Sequence, residues 1–219
     1  LALLLALLAA PPSLRPACPD DLPRGPSEIR DAHLLAQPRL TLPALSPHTT
    51  PRGAWAINAS ALWANSFSWT QDVAGEEPED RRFLIDGESL AVDLRVRRGL
   101  GPNLDLGLRV PVQGRGGGTL DAFIDWWHRV AHTPDGDRPL FLKDAFRVEG
   151  VTTSGDAFSW NDSTGFGLGD FELEARYRIR DGRSSDSPSA AIVGRVSLPT
   201  GTGPFQGGGF GGGGQLVAD

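Results

Sequence analysis

The sequence predicts an all-β fold, an antiparallel transmembrane β-barrel of meander topology, and three observations predict it. The first is a hairpin of two alternating runs. Leu90, Val92, Leu94 and Val96 alternate with Ala91, Asp93, Arg95 and Arg97; after the turn at Gly99 to Asn103, Leu104, Leu106, Leu108, Val110 and Val112 alternate with Asp105, Gly107 and Arg109. The second is a repeat of this logic. Phe171, Leu173, Ala175, Tyr177 and Ile179 alternate with Glu172, Glu174, Arg176 and Arg178; after a turn at 180 to 189, Ala190, Ile192, Val196 and Leu198 alternate with Ala191, Val193, Arg195 and Ser197. The third is loop length. The stretch from Gln113 to Leu168 carries no strand periodicity, which suits a barrel with long extracellular loops better than a compact soluble domain.

Taken in order, the chain opens with LALLLALLAA followed by Pro11 and Pro12. This apolar run is too short to cross a membrane as a helix and fits the core of an export signal, read here as a remnant over residues 1–17. Residues 18–51 form a Pro-rich segment with a short helix expected around Ser27 to Leu35, and residues 52–219 form the barrel domain. The barrel's first strand is AWAINASALWANSF. Trp55, Ile57, Ala59, Ala61, Trp63 and Phe67 share one parity, and the tryptophans near its ends match the aromatic girdles of a membrane barrel. The acidic run at 75–80 reads as solvated loop.

In this arrangement the Leu/Val rows face lipid and the charged rows face the lumen. The lumen-facing charges are Asp93, Arg95, Arg97, Asp105, Arg109, Glu172, Glu174, Arg176, Arg178 and Arg195. Pairing Leu94 with Leu108 sets Asp93 opposite Arg109 and Arg97 opposite Asp105; pairing Leu173 with Val196 sets Glu174 opposite Arg195. Such cross-strand pairs contribute roughly 0.2 to 1 kcal/mol each. The glycine-rich tail from Thr200 reads as one more long loop, leaving about five strands. Five strands cannot close in lipid, and the chain lacks methionine, so a longer protein with further C-terminal strands is expected.

Within the long loop, TLDAFIDWWHRVAH has helical periodicity, with Leu120, Phe123, Ile124, Trp127 and Val130 on an apolar face and Thr119 as its expected cap. Asp121, Asp125, His128 and His132 form a polar stripe. Asp125, His128 and His132 are candidate metal ligands, because histidines four apart on a helix can share an ion. The competing reading is an amphipathic helix on the barrel rim or at the membrane interface. No spacing nominates a catalytic triad, and the runs Gly114 to Gly118 and Gly207 to Gly214 lack the lysine and context of a phosphate-binding loop. No cofactor is expected.

Charge excludes one further class. With 21 basic and 27 acidic residues, the chain carries no nucleic-acid footprint, and its single cysteine, Cys18, excludes an internal disulfide framework.

The ordered set GAWAINASALWANSF, LRVRRGLGPNLDLGLRVPV, LDAFIDWWHRV, STGFGLGDFELEARYRI and VSLPTG resembles a bacterial family described as domain of unknown function 3187, over about Leu42 to Gly201. The resemblance implies an outer-membrane β-barrel, reached through the periplasm, with outer-membrane lipid and the barrel-assembly machinery as its partners. It implies no catalytic residue, and the glycine-rich tail departs from the family pattern. The functional expectation is a non-enzymatic outer-membrane barrel, structural or passing small solutes. The alternatives are an outer-membrane enzyme acting on lipid or envelope material, and a soluble β-sandwich that binds a ligand.

Overall fold

The computed structural model describes residues 33–37, 39–70, 83–152, 154–182 and 188–218. The expected export signal, Cys18 and the acidic run at 75–80 lie outside the described residues. So does most of the helix expected around Ser27 to Leu35, whose described end is a turn in which Ala36 N–H donates to the His33 carbonyl at 2.8 Å.

Among the described residues nine strands build one antiparallel sheet: β1 (Trp55–Trp69), β2 (Phe83–Gly99), β3 (Leu104–Gly116), β4 (Arg147–Val151), β5 (Ala157–Ser159), β6 (Gly165–Leu168), β7 (Phe171–Arg180), β8 (Ala190–Leu198) and β9 (Gly211–Ala218). One helix, α1 (Asp121–Ala131), follows β3. Six long strands run as a meander, β1-β2-β3-β7-β8-β9, curled into a half-barrel. The shorter strands extend one end of it. β4 pairs with Phe83 to Asp86 of β2, β5 pairs with β4, and β6 pairs with Val112 to Arg115 of β3.

Three expectations are corrected here. The stretch from Gln113 to Leu168 is not free of strands: β3 runs on to Gly116, and β4, β5 and β6 all lie within it. These strands are short or glycine-bearing, so side-chain alternation never accumulates. The glycine-rich tail is not a loop either. Residues 211–218 pair with β8 from Ser197↔Gly211 to Ala190↔Ala218, because a ladder needs only backbone N–H and C=O groups and glycine supplies both without any side-chain period.

The register of the first hairpin is the third. Leu94 lies opposite Val110, not Leu108, so Asp93 faces Pro111 and Arg97 faces Gly107. The turn causes the shift: Leu100 N–H (2.9 Å) and Gly101 N–H (3.2 Å) both donate to the Leu104 carbonyl, which moves the hairpin's centre one residue along and the pairing by two. A two-residue shift keeps every side chain on its expected face. The second hairpin pairs as expected, Leu173↔Val196 and Glu174↔Arg195.

Residues 33–37 and 39–51 precede β1 and lie within the curl of the sheet. Leu34 joins Ile85 and Val148 in a small apolar core, with Leu35, Phe83, Phe146 and Phe158 packed against it. At the opposite end the segment leaves past Gly99, which accepts from Gly53 N–H (2.8 Å) and donates to Ala54 C=O (3.1 Å). A Cβ at Gly99 would strike the backbone of Thr50 and Pro51. Gly99→Ala is therefore expected to destabilise the fold by about 1 to 3 kcal/mol, as overpacking does. Urea titration should show it, and an unchanged midpoint would contradict the close approach.

Candidate functional site

Parity sorts the charges of the six long strands. Asp93, Arg95, Arg97, Asp105, Arg109, Glu172, Glu174, Arg176, Arg178 and Arg195 all fall on the concave side, because partners in an antiparallel ladder point to the same face. Arg95 and Arg109 are direct partners, and Asp93, one diagonal step away, ion-pairs with Arg109 despite the shifted register. Arg109 also bonds Glu172 at 2.9 Å. Glu174 collects Arg195, through Nε at 2.7 Å and through Nη2, and Arg176 at 2.9 Å. Arg178 stands at the short-turn end, where it donates to the Pro102 carbonyl at 2.7 Å.

Most of these charges are buried, and the segment from Gln37 to Thr50 is what covers them. Arg115 Nε donates to the Gln37 side-chain oxygen (2.8 Å) and Gln113 to the Gln37 carbonyl (2.9 Å). Farther along, Arg195 donates to Thr41 C=O (3.2 Å), Gln215 to Pro43 C=O (3.2 Å), and Arg176 to the carbonyls of Ser46 (2.8 Å) and His48 (3.1 Å). Two contacts run the other way, with Thr50 N–H donating to Asp105 at 2.7 Å and Gln37 Nε2 to the Leu90 carbonyl at 3.2 Å. The chemistry of the sequence explains this pattern. Proline has a carbonyl and no N–H, so a Pro-rich segment is short of donors, and arginine and glutamine side chains provide them.

On the concave face of β2, β3, β7 and β8 lies a cleft of about 260 Å³, counting its open mouth, lined chiefly by Arg95, Arg97, Arg109, Glu172, Glu174 and Arg195. It carries both signs of charge.

The convex side is different. On β1 it presents Ile57, Ala59, Ala61 and Trp63; on β2 Leu90, Val92, Leu94 and Val96; on β3 Leu104 to Val112 at alternate positions. β7, β8 and β9 add Tyr177, Ile179, Ile192, Val196 and Leu216, all more than two-fifths exposed. Its charges on the long strands are Arg98 at one end of β2, stacked 5.2 Å from the Trp55 ring, Arg180 at the same end of β7, opposite Ala190, and Glu88 and Asp86 at the other end of β2.

Those two carboxylates are covered by the loop that holds α1. Arg138 reaches Asp86 at 3.3 Å, ion-pairs with Asp121, bonds Asn65 at 3.0 Å and sits 5.0 Å from the Phe67 ring. Asp121 further accepts from Asn65 (3.2 Å) and from Asp144 N–H (2.7 Å). Glu88 accepts from Trp63 Nε1 (2.8 Å) and from the N–H groups of Thr119 (2.9 Å) and Leu120. This corrects the expected cap: Leu120 holds the N-cap position without a side-chain bond, and a strand carboxylate replaces the Thr119 hydroxyl at the helix start. Gly118, at φ +77°, lets the backbone turn close against Glu88.

Of the candidate metal ligands, Asp125 pairs with Lys143, and His128 Nδ1 lies 3.0 Å from Thr133 Oγ1. His132 is the left-handed C-cap residue. No group of three or more His, Cys, Asp or Glu side chains able to hold a metal ion occurs among the described residues.

Gln113 and Arg115 belong to the site but were not among the residues expected there; their signal is that they continue the parity of Arg109 beyond Val112. Asp86 and Glu88 had a signal too, as charges on an otherwise apolar row. Arg138 had none, since its role depends on a loop folding back.

A family model described as a protein of unknown function (DUF3187) matches residues 8–206. The chain belongs to this family. No curated protein and no solved structure matches it. Family membership accords with the ordered set of motifs and assigns no chemistry to any residue.

Arg109 is the strongest test of the concave lattice. Arg109→Ala leaves Asp93 and Glu172 buried without their shared cation, a loss expected to cost roughly 3 to 5 kcal/mol. Replacing all three together by apolar residues should restore most of it, read as the urea midpoint of each variant. Equal midpoints for the parent and Arg109→Ala would show that the lattice contributes nothing.

Proposed function

We propose that this chain forms the wall of a bacterial outer-membrane β-barrel, non-enzymatic, with its lumen occupied by its own residues 33–51. One observation carries the reading. The convex face is uncharged between Glu88 and Arg98, which lie ten residues apart on β2. Ten residues span about 33 Å of strand, or about 25 Å at a tilt near 40°, the height of a membrane barrel's apolar band. A soluble half-barrel would leave this Leu/Val surface in water, at a cost that scales with its area. Trp55 and Trp63 near the two margins suit the interfacial layers.

The concave side supports a closed rather than an open interior. The carbonyl oxygens of residues 37–48 occupy the donors that would otherwise line a pore. Passage of a small solute then requires the segment to yield.

Two outcomes test this. The full-length protein should stay with outer membranes after carbonate extraction and migrate faster unheated than heated on a gel; release into the soluble fraction would refute the membrane reading. In planar bilayers the intact protein should be nearly silent, and deletion of residues 33–51 should raise conductance. Equal steady conductance with and without the segment would refute the closed lumen.

A further inference from the structure

We propose that the outer face of α1 seats in the interfacial layer of the lipid bilayer surrounding the sheet, fastening the extracellular end of the wall to the membrane surface. This rests on the membrane reading above and adds a partner and a surface to it. The helix is mounted the opposite way from a helix on a soluble protein. The first half of its polar stripe faces the protein: Asp121 is 1% exposed and clamped by Arg138, and Asp125 is held by Lys143. Its apolar stripe faces out, with Phe123 at 57%, Trp127 at 53% and Val130 at 56% exposure and Trp126 beside them.

Three positions four or three apart make this one face, and the Phe123 and Trp126 rings lie 5.8 Å apart on it. The loop that carries Arg138 turns Leu140 and Leu142 outward as well, both about three-quarters exposed.

The occupant follows from where this face sits. Asn65 and Glu88, the polar margin of the apolar band, are the same groups that hold the start of α1, through Asp121 and through the Thr119 and Leu120 N–H groups. Trp63, the last outward aromatic of the band, bonds that same Glu88. The helix therefore continues the lipid-facing surface at the level where hydrocarbon gives way to headgroups. Tryptophan suits that layer, with an apolar ring and one N–H donor, and a helix of this kind beds its apolar side into the headgroup and acyl boundary. Another protein is the alternative occupant, and nothing on this face offers it a groove or a paired charge.

The experiment uses the full chain in a Cys18→Ser background, carrying one environment-sensitive fluorophore on Val130→Cys, Leu94→Cys or Thr164→Cys, in phosphatidylcholine vesicles with and without spin-labelled lipid, the label near the headgroup for Val130 and Thr164 and at mid-chain for Leu94. Leu94 reports the band and Thr164 an exposed loop. Val130 should be quenched at least about threefold more than Thr164, as a helix bedded in the interface requires. Quenching at Leu94 with Val130 no better than Thr164 overturns the helix proposal and leaves the barrel reading standing. No quenching at Leu94 or Val130 overturns both. Each variant is first checked for heat-modifiable migration; Phe123→Cys, on the same face, replaces Val130→Cys if that variant loses it.

Discussion

The donor groups on the inner wall and the carbonyl oxygens of the segment they hold form the contact on which the rest of the structure depends. Arg115, Gln113, Arg195, Gln215 and Arg176 come from β3, β7, β8 and β9, yet all bond one continuous stretch of chain. A curled sheet with arginines on its concave side faces a severe desolvation problem, since a buried cation without partners is far costlier than an exposed one. The wall resolves part of this internally, through Asp93, Glu172 and Glu174. The Pro-rich segment supplies acceptors for Arg115, Arg176 and Arg195, and in return gains partners for carbonyls that no strand pairs.

That exchange lets the two faces of one sheet suit different surroundings. Inward-facing residues meet a polar, hydrogen-bonded filling, while outward-facing residues need only be apolar. At the end of the sheet that carries α1 the division reverses locally, because Asp86, Glu88 and Asn65 take outward positions. The loop after β3 folds over them, and Arg138 and the first turn of α1 neutralise what would otherwise be bare carboxylates on the outside of the wall. The same carboxylates that break the apolar band thus fix the helix, so the limit of the band and the position of α1 share one physical cause.

How much of this could be read beforehand depends on period. The central hairpin and the β7-β8 hairpin carry alternation over enough residues to fix strand type and facing, and the lattice charges fell on the concave side even where the register was displaced by two. Facing survives such a shift because side chains repeat every two residues; pairing does not, because the hydrogen bonds of a single turn at Leu100 to Leu104 decide it. β9 is illegible for a related reason: the eight positions 207–214, seven of them glycine, have no alternation to read, although the backbone from Gly211 on pairs as well as any other.

By itself, then, the sequence determined which segments extend and which side chains share a face, because both follow from local steric preference and a period of two. It also marked α1 as amphipathic. Tertiary structure decided what each face meets: that residues 33–37 and 39–51 lie inside the curl, that Glu88 rather than Thr119 receives the helix start, and that Asp121, at the head of the polar stripe of α1, turns toward the wall. Those outcomes join residues 31 to 172 positions apart, through hydrogen bonds that leave no trace in any local pattern.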